Sequence, residues 1–296
     1  MTHPTVSDVV RACDALWPPE YAESWDTVGL AVGDPTAEVR RILVALDPVD
    51  ADLDEAIAGG YDFLLTHHPL LLRGVTSVHA GTLKGGAVHA LVRAGVAAFN
   101  AHTNADSAVG GVSDALADVL DLQDRRPLVG TPGAPEGTGL GRVTTVPAGA
   151  SATVLSVART LAAELPPTIT GVRIAGDPEA PVSTVAVLGG AGDSLFDAVR
   201  ASGAEVYVTS DLRHHPATEA RDTAARGNGT PHLIDISHWA AESLWLEPAA
   251  DALSAALDAN GFDVGIEVSR TVSDAWTVRI DQGTERTDFT GGAGRE

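Results

Sequence analysis

Short apolar runs of strand length alternate with amphipathic, helix-length segments along most of this chain, and that rhythm restricts it to the α/β class. In the first part, 41–46, 62–65 and 96–100 read as strands, and 50–58, 83–94 and 111–120 as helices. Strands that return after a helical crossover pair in parallel, so mostly parallel or mixed sheets covered by helices are expected. An amphipathic helix over 5–16 precedes them, with Ser7 available to cap it and Trp17-Pro-Pro19 to end it. A polar loop then runs through 22–30. The Gly-, Pro- and Thr-rich stretch 126–141 reads as a linker between lobes. Beyond it, strands at 142–146, 171–175, 184–188, 206–209 and 232–236 accompany helices at 152–164, 194–202 and 216–225. A long helix over 239–259 and a strand over 264–268 close the series. The expected organisation is two α/β lobes: a discontinuous one of 1–125 plus 232–282, a second of 126–231, and a frayed tail over 283–296.

Composition narrows the function. The net charge is −21, with Lys84 the only lysine, which disfavours an electrostatic grip on duplex nucleic acid or an anionic membrane. No run of roughly 20 apolar residues could span a bilayer, and no signal-peptide pattern occurs, so a soluble cytoplasmic protein is expected. Cys13 is the single cysteine. It excludes disulfide frameworks and thiolate metal sites, so any metal must be held by nitrogen and oxygen.

Nitrogen and oxygen donors gather where three strands end. His67 and His68 leave the apolar run Asp62-Phe-Leu-Leu-Thr66 together, and because neighbouring strand residues point to opposite faces, one such pair can serve two adjacent ions. His102 and Asp106 follow the run from Val96. His238 and Glu242 follow the run from Leu233, four residues apart, with Ser237 placed to cap a helix that sets both on one face. The same spacing separates His102 from Asp106, but Asn104 and the Gly110-Gly111 pair make a loop the expected form there. Three histidines (His67, His68, His238) and two carboxylates (Asp106, Glu242) suit a two-metal site with a bridging carboxylate and water in the open positions. His102 either touches a metal or orients Asp106 or a bound water, and the orienting role is favoured.

Two further segments are polar. The turn Gly189-Gly-Ala-Gly192 follows a strand and opens a helix. It is a tight turn or an anion loop, but neither a dinucleotide fingerprint, since Leu195 replaces the third glycine, nor a P-loop. Asp211, Arg213 and His215 after the strand at 206–209 can hydrogen-bond a substrate or pair with one another. No Gly-x-Ser-x-Gly elbow is present. Water activated by metal is therefore the expected nucleophile.

Taken together, Ser24-Trp-Asp-Thr-Val-Gly-Leu30, Thr66-His-His-Pro69, His102-Thr-Asn-Ala-Asp106, Gly189-Gly-Ala-Gly192, Thr209-Ser-Asp-Leu-Arg-His-His215 and Ser237-His-Trp-Ala-Ala-Glu242 resemble the NIF3-like family, also called the GTP cyclohydrolase I type 2 homologue or dinuclear metal centre hexameric family. The resemblance implies a two-lobed protomer assembling as a toroidal homohexamer, a trimer of dimers, with two divalent metal ions per chain facing an internal cavity. Position by position, it implies that His67, His68, Asp106, His238 and Glu242 are the ligands, with Glu242 a bridge. The family name implies hydrolytic opening of the guanine imidazole ring of GTP. Two departures stand out: the large insert of some members is absent, and Ser210 occupies a usual glycine position.

The function expected is a metal-dependent hydrolase with His102 or His215 relaying protons, and the resemblance implies a nucleotide-like substrate. Zn, Fe, Mn, Co and Ni all accept this donor set. The competing expectation is a hexameric metal-binding or metal-trafficking ring without turnover, since a nitrogen and oxygen site fits both.

Overall fold

A computed structural model describes residues 2–146, 152–280 and the backbone of 286–288. The chain begins with α1 (Val6–Leu16), β1 (Gly29–Val32), β2 (Arg41–Ala45), α2 (Asp50–Ala58), β3 (Phe63–Thr66), α3 (Leu83–Ala94), β4 (Ala97–Asn100) and α4 (Thr103–Ser107). It continues with α5 (Val112–Val119), β5 (Gln123–Gly130), β6 (Gly139–Thr145), β7 (Ala152–Thr153), α6 (Val154–Glu164), β8 (Arg173–Ala175), β9 (Pro181–Val182), β10 (Thr184–Ala191), α7 (Phe196–Ser202), β11 (Val206–Ser210), α8 (His214–Arg226), β12 (His232–Ile236) and α9 (His238–Ser243). Last come α10 (Leu246–Ala259), β13 (Gly265–Val268), β14 (Val278–Ile280) and β15 (Arg286–Asp288).

Two units result, each crossed twice by the chain: Met1–Ala108 with Trp245–Ser273, and Val109–Leu244 with Asp274–Glu296. The first unit holds a five-stranded sheet in the order β1-β4-β3-β2-β13. Its strands β13, β2, β3 and β4 run parallel, and β1 lies antiparallel at the edge. All four residues of β3 and of β4 are buried, as the uninterrupted apolar runs of a doubly covered parallel sheet require. On one side, Leu43, Leu64 and Ala98 from the sheet pack against Leu53 and Ala56 of α2 and Leu91 of α3.

The second unit holds a six-stranded sheet, β5-β6-β10-β11-β12-β8, in which β10, β11 and β12 are parallel and the outer strands antiparallel. Val185, Val187, Val206, Val208, Ile234 and Ile236 point into one core with Val157 and Leu161 of α6, while Ala186, Tyr207 and Leu233 point into another with Phe196 and Val199 of α7. That is the period-2 division of strand side chains between two faces.

The mixed α/β class expected from the sequence is present, and several local expectations change. The lobe boundary moves, because β12 pairs with β11 from Val206↔His232 onward and so belongs to the second sheet together with α9. The expected linker over 126–141 is instead the β5–β6 hairpin. The segment 22–30 expected as loop ends in β1, which pairs with β4. The helix expected over 239–259 is two, since α9 buries Ala240 and Ala241 in the second unit whereas Trp245 buries its ring in the first, edge-on to Trp17 at 5.2 Å. Thr5, not Ser7, caps α1, in a capping box with Asp8. The tail expected over 283–296 lies outside the described residues except for β15, which pairs with β14. No helix among the described residues is long and apolar enough to cross a membrane.

Candidate metal centre

In the first unit the strand ends bring His67, His68, His102 and Asp106 together. His67 and His68 emerge where β3 stops, their rings 4.9 Å apart, and both face His102, at 5.2 and 5.5 Å. One ligand nitrogen from each of the three lies within 4.8 Å of the others. Asp106 Oδ1 stands 3.7 Å from His67 Nε2. It reaches there because 103–107 is a turn of helix, not the expected loop. Asn104 makes that turn possible, accepting from the His102 amide at 2.8 Å and donating to the Trp17 carbonyl at 2.7 Å.

Every histidine of this cluster is held by its Nδ1. His67 Nδ1 meets the Ala101 carbonyl at 2.9 Å, His68 Nδ1 meets Asp47 at 2.7 Å, and His102 Nδ1 meets Asp26 at 2.9 Å. A carbonyl or carboxylate oxygen only accepts, so each Nδ1 carries a proton, and the neutral form of each ring has its lone pair on Nε2. This is how metal-binding histidines are oriented and made more basic. Burial by itself would raise the Asp26 carboxyl, but hydrogen bonds from His102 and Thr103 outweigh it and hold Asp26 well below the usual carboxylate range. Asp26 is therefore a fixed anion behind His102.

The second unit contributes His238 and Glu242, on one face of α9 as their spacing requires. Ser237 caps that helix, its hydroxyl accepting from the Ala240 amide. His238 Nε2 lies 3.0 Å from Glu242 Oε2, and His238 Nδ1 lies 2.8 Å from Asp211. Burial opposes charging His238, yet the Glu242 and Asp211 carboxylates prevail and lift its pKa to about 11. So strong a local anionic field favours a cation at this spot, and a divalent ion would take the place of the Nε2 proton. Asp211 itself occupies the left-handed region, at φ 53°, which Asp tolerates better than most residues.

The glycines of β10 leave room for Glu242. A Cβ on Gly190, whose φ is +77°, would sit 2.5 Å from Glu242 Oε1 and 3.4 Å from His238 Nε2, and one on Gly189 would strike Val112 at 2.5 Å. A Cβ on Gly192 would overlap the hydroxyls of Tyr207 and Thr209. Those hydroxyls donate to the carbonyls of Gly192 and Gly190. Close packing thus accounts for these glycines without an anion loop. The other polar residues of the Thr209–His215 stretch part company: Arg213 pairs with Asp193 at 2.5 Å, and His215 is exposed on α8 beside His214.

The sequence offered Asp211 as a substrate contact or a partner of Arg213 or His215, whereas it meets His238; Asp26 and Asp47 were not singled out as histidine partners. Asp47 lies two residues past β2, so the strand-end criterion that found the histidines would have reached it. The donors are nitrogen and oxygen only, their histidines oriented through Nδ1. That chemistry fits borderline and hard divalent ions.

The chain is similar to known proteins over most of its length. A Streptomyces coelicolor protein named GTP cyclohydrolase 1 type 2 homolog is 52% identical over 278 residues, covering 94% of this chain and 95% of its own. A Staphylococcus aureus hypothetical protein of known structure is 27% identical with a TM-score of 0.81, covering 92% of this chain and 98% of its own. A Bacillus cereus protein related to NIF3 superposes with a TM-score of 0.83 over 93% of this chain and 99% of its own, and at 21% identity it speaks for the fold alone. The family model described as Duf34/NIF3 (NGG1p interacting factor 3) matches residues 4–275, nearly the whole chain, and the protein therefore belongs to that family.

Proposed function

We propose that the protein is a divalent-metal-dependent hydrolase acting on a nucleotide-like substrate, with two metal ions per chain and His67, His68, Asp106, His238 and Glu242 as their ligands. One observation carries this reading: His67, His68 and His238 each give their Nδ1 to an oxygen acceptor, which leaves Nε2 as the donor a metal requires. When bound, such ions lower the pKa of water and polarise an electrophilic carbon or phosphorus. Asp106 and Glu242 would supply the negative charge that offsets the cations, with Glu242 the bridging carboxylate that the family resemblance implies. His102, fixed through Asp26, holds its Nε2 toward the same cluster and can accept and return a proton. His215 has no such support, so His102 is the better proton carrier. The names of the relatives point to GTP as the first substrate to try.

The resemblance extends the proposal to a homohexameric ring, which sedimentation would test. The deciding experiment is elemental analysis of gently purified protein together with a hydrolysis screen of GTP and other nucleotides before and after chelation. About two metals per chain with chelator-sensitive turnover is the expected result. Glu242→Gln should lower metal content and activity together. Full activity in metal-free protein would overturn the reading, and two metals with no turnover on any substrate would favour a metal-binding ring.

A further inference from the structure

Trp17 and Trp245 are buried in the first unit, but Trp25 of the same unit leaves 60% of its surface in water. Its loop is nevertheless fastened on both sides. The Glu23 amide donates to Thr103 Oγ1 at 2.9 Å, and the Asp26 amide to the Glu23 carbonyl at 2.9 Å. The Asp26 carboxylate accepts from His102 Nδ1 and the Thr103 amide, and Asn100 Nδ2 donates to the Thr27 carbonyl at 2.9 Å. An exposed indole forgoes a favourable burial. A loop tied at these points cannot fold the ring away, so it is held in the open.

Where it is held matters. The indole meets the His102 ring edge-to-face, centroids 5.9 Å apart and planes at 80°. His102 in turn belongs to the three-histidine cluster. A large flat π surface therefore stands at the margin of the residues proposed to do the chemistry. The chain is also strongly acidic, with a net charge of −21, and the nearest charges on this loop, Glu23 and Asp26, would repel a phosphate. Recognition through a neutral ring avoids that repulsion, because every nucleobase-like heterocycle offers a face to stack regardless of charge.

We propose that Trp25 is the stacking platform for a planar heteroaromatic ring of the substrate, holding it beside His102. The proposal rests on the hydrolase reading, from which it takes both the histidine cluster as the reacting centre and a nucleotide-like substrate. Its test is equilibrium binding of GTP to metal-loaded protein by calorimetry, with inorganic tripolyphosphate as a probe that has the charge but no ring. Trp25→Leu keeps an apolar side chain at an exposed position without a π face, and Trp25→Phe restores a smaller one. The expected result is that W25L weakens GTP about tenfold or more while W25F stays within about threefold of wild type. Tripolyphosphate affinity and metal content should stay at wild-type values in both variants. Equal GTP affinity in W25L and wild type overturns the proposal, as does an equal loss for both probes or the absence of saturable GTP binding to wild type. A change of sedimentation in W25L would also overturn it, because the indole would then cover a contact between copies. Metal content is read separately, so failure of the stacking assignment is distinguishable from failure of the metal assignment.

Discussion

Gly190→Ala tests how the second unit holds its carboxylate. Alanine at φ +77° must adopt the left-handed region, at a cost of about 1–2 kcal/mol for an L residue. Its Cβ would also lie 2.5 Å from Glu242 Oε1, a separation that obliges the buried carboxylate to move. Gly95 supplies the control, because it has nearly the same φ, +72°, with nothing within 4 Å of an added Cβ. Gly95→Ala therefore reports the backbone cost alone. At roughly 2–4 °C per kcal/mol for a chain of this size, both variants should lose about 2–8 °C of Tm in chelator, with G190A at the upper end. Only G190A should lose metal, by about tenfold or more in affinity, as expected when a ligand is pushed off its position. The assay is thermal unfolding with and without chelator, beside metal titration. If G190A binds metal as tightly as wild type, Glu242 is not cradled as described and its assignment as a ligand fails with it.

Two other perturbations concern stability. Asp52 is buried on α2, where Ser269 donates to it at 3.1 Å, and burial lifts its pKa from 3.8 to about 7, helped by Asp47 and Glu55. Because the folded state holds this proton more tightly than the unfolded chain, stability from this group is complete below the unfolded pKa and is lost as pH rises toward 7. A rise from 3.8 to about 7, at about 1.4 kcal/mol per unit, sets an upper bound of roughly 4 kcal/mol. Asp52→Asn should flatten the decline of Tm between pH 4 and 7, and an unchanged slope would show that Asp52 does not carry it. Arg142 is buried and grips Asp114 through two hydrogen bonds, at 2.8 and 2.7 Å, while also donating to the carbonyls of Gly139 and Gly141. Asp114→Ala leaves that guanidinium without its counter-ion and should cost about 3–5 kcal/mol in denaturant unfolding. A loss below about 1 kcal/mol would mark the pair as a solvated one.

Local pattern made much of this protein legible in its sequence. The buried strands β2, β3 and β4 are continuous apolar runs, and α2 and α3 fall where helical periodicity places them, because both periods are set by the backbone of a single segment. The cluster positions were legible for the same reason: His67 and His68 close a strand, and His238 and Glu242 share a helical face by spacing alone. Contacts between distant segments were not. That β12 joins the second sheet depends on its pairing with β11, that Trp245 splits a helical run depends on the core it enters, and that 103–107 is helical depends on the Trp17 carbonyl that Asn104 finds. The acceptors behind the histidines lie 76 residues away for His102, 21 for His68 and 27 for His238. The sequence by itself determined which side chains could bind a metal; the tertiary structure decided which nitrogen each histidine presents, because only folding brings the oxygen that takes the proton of the other.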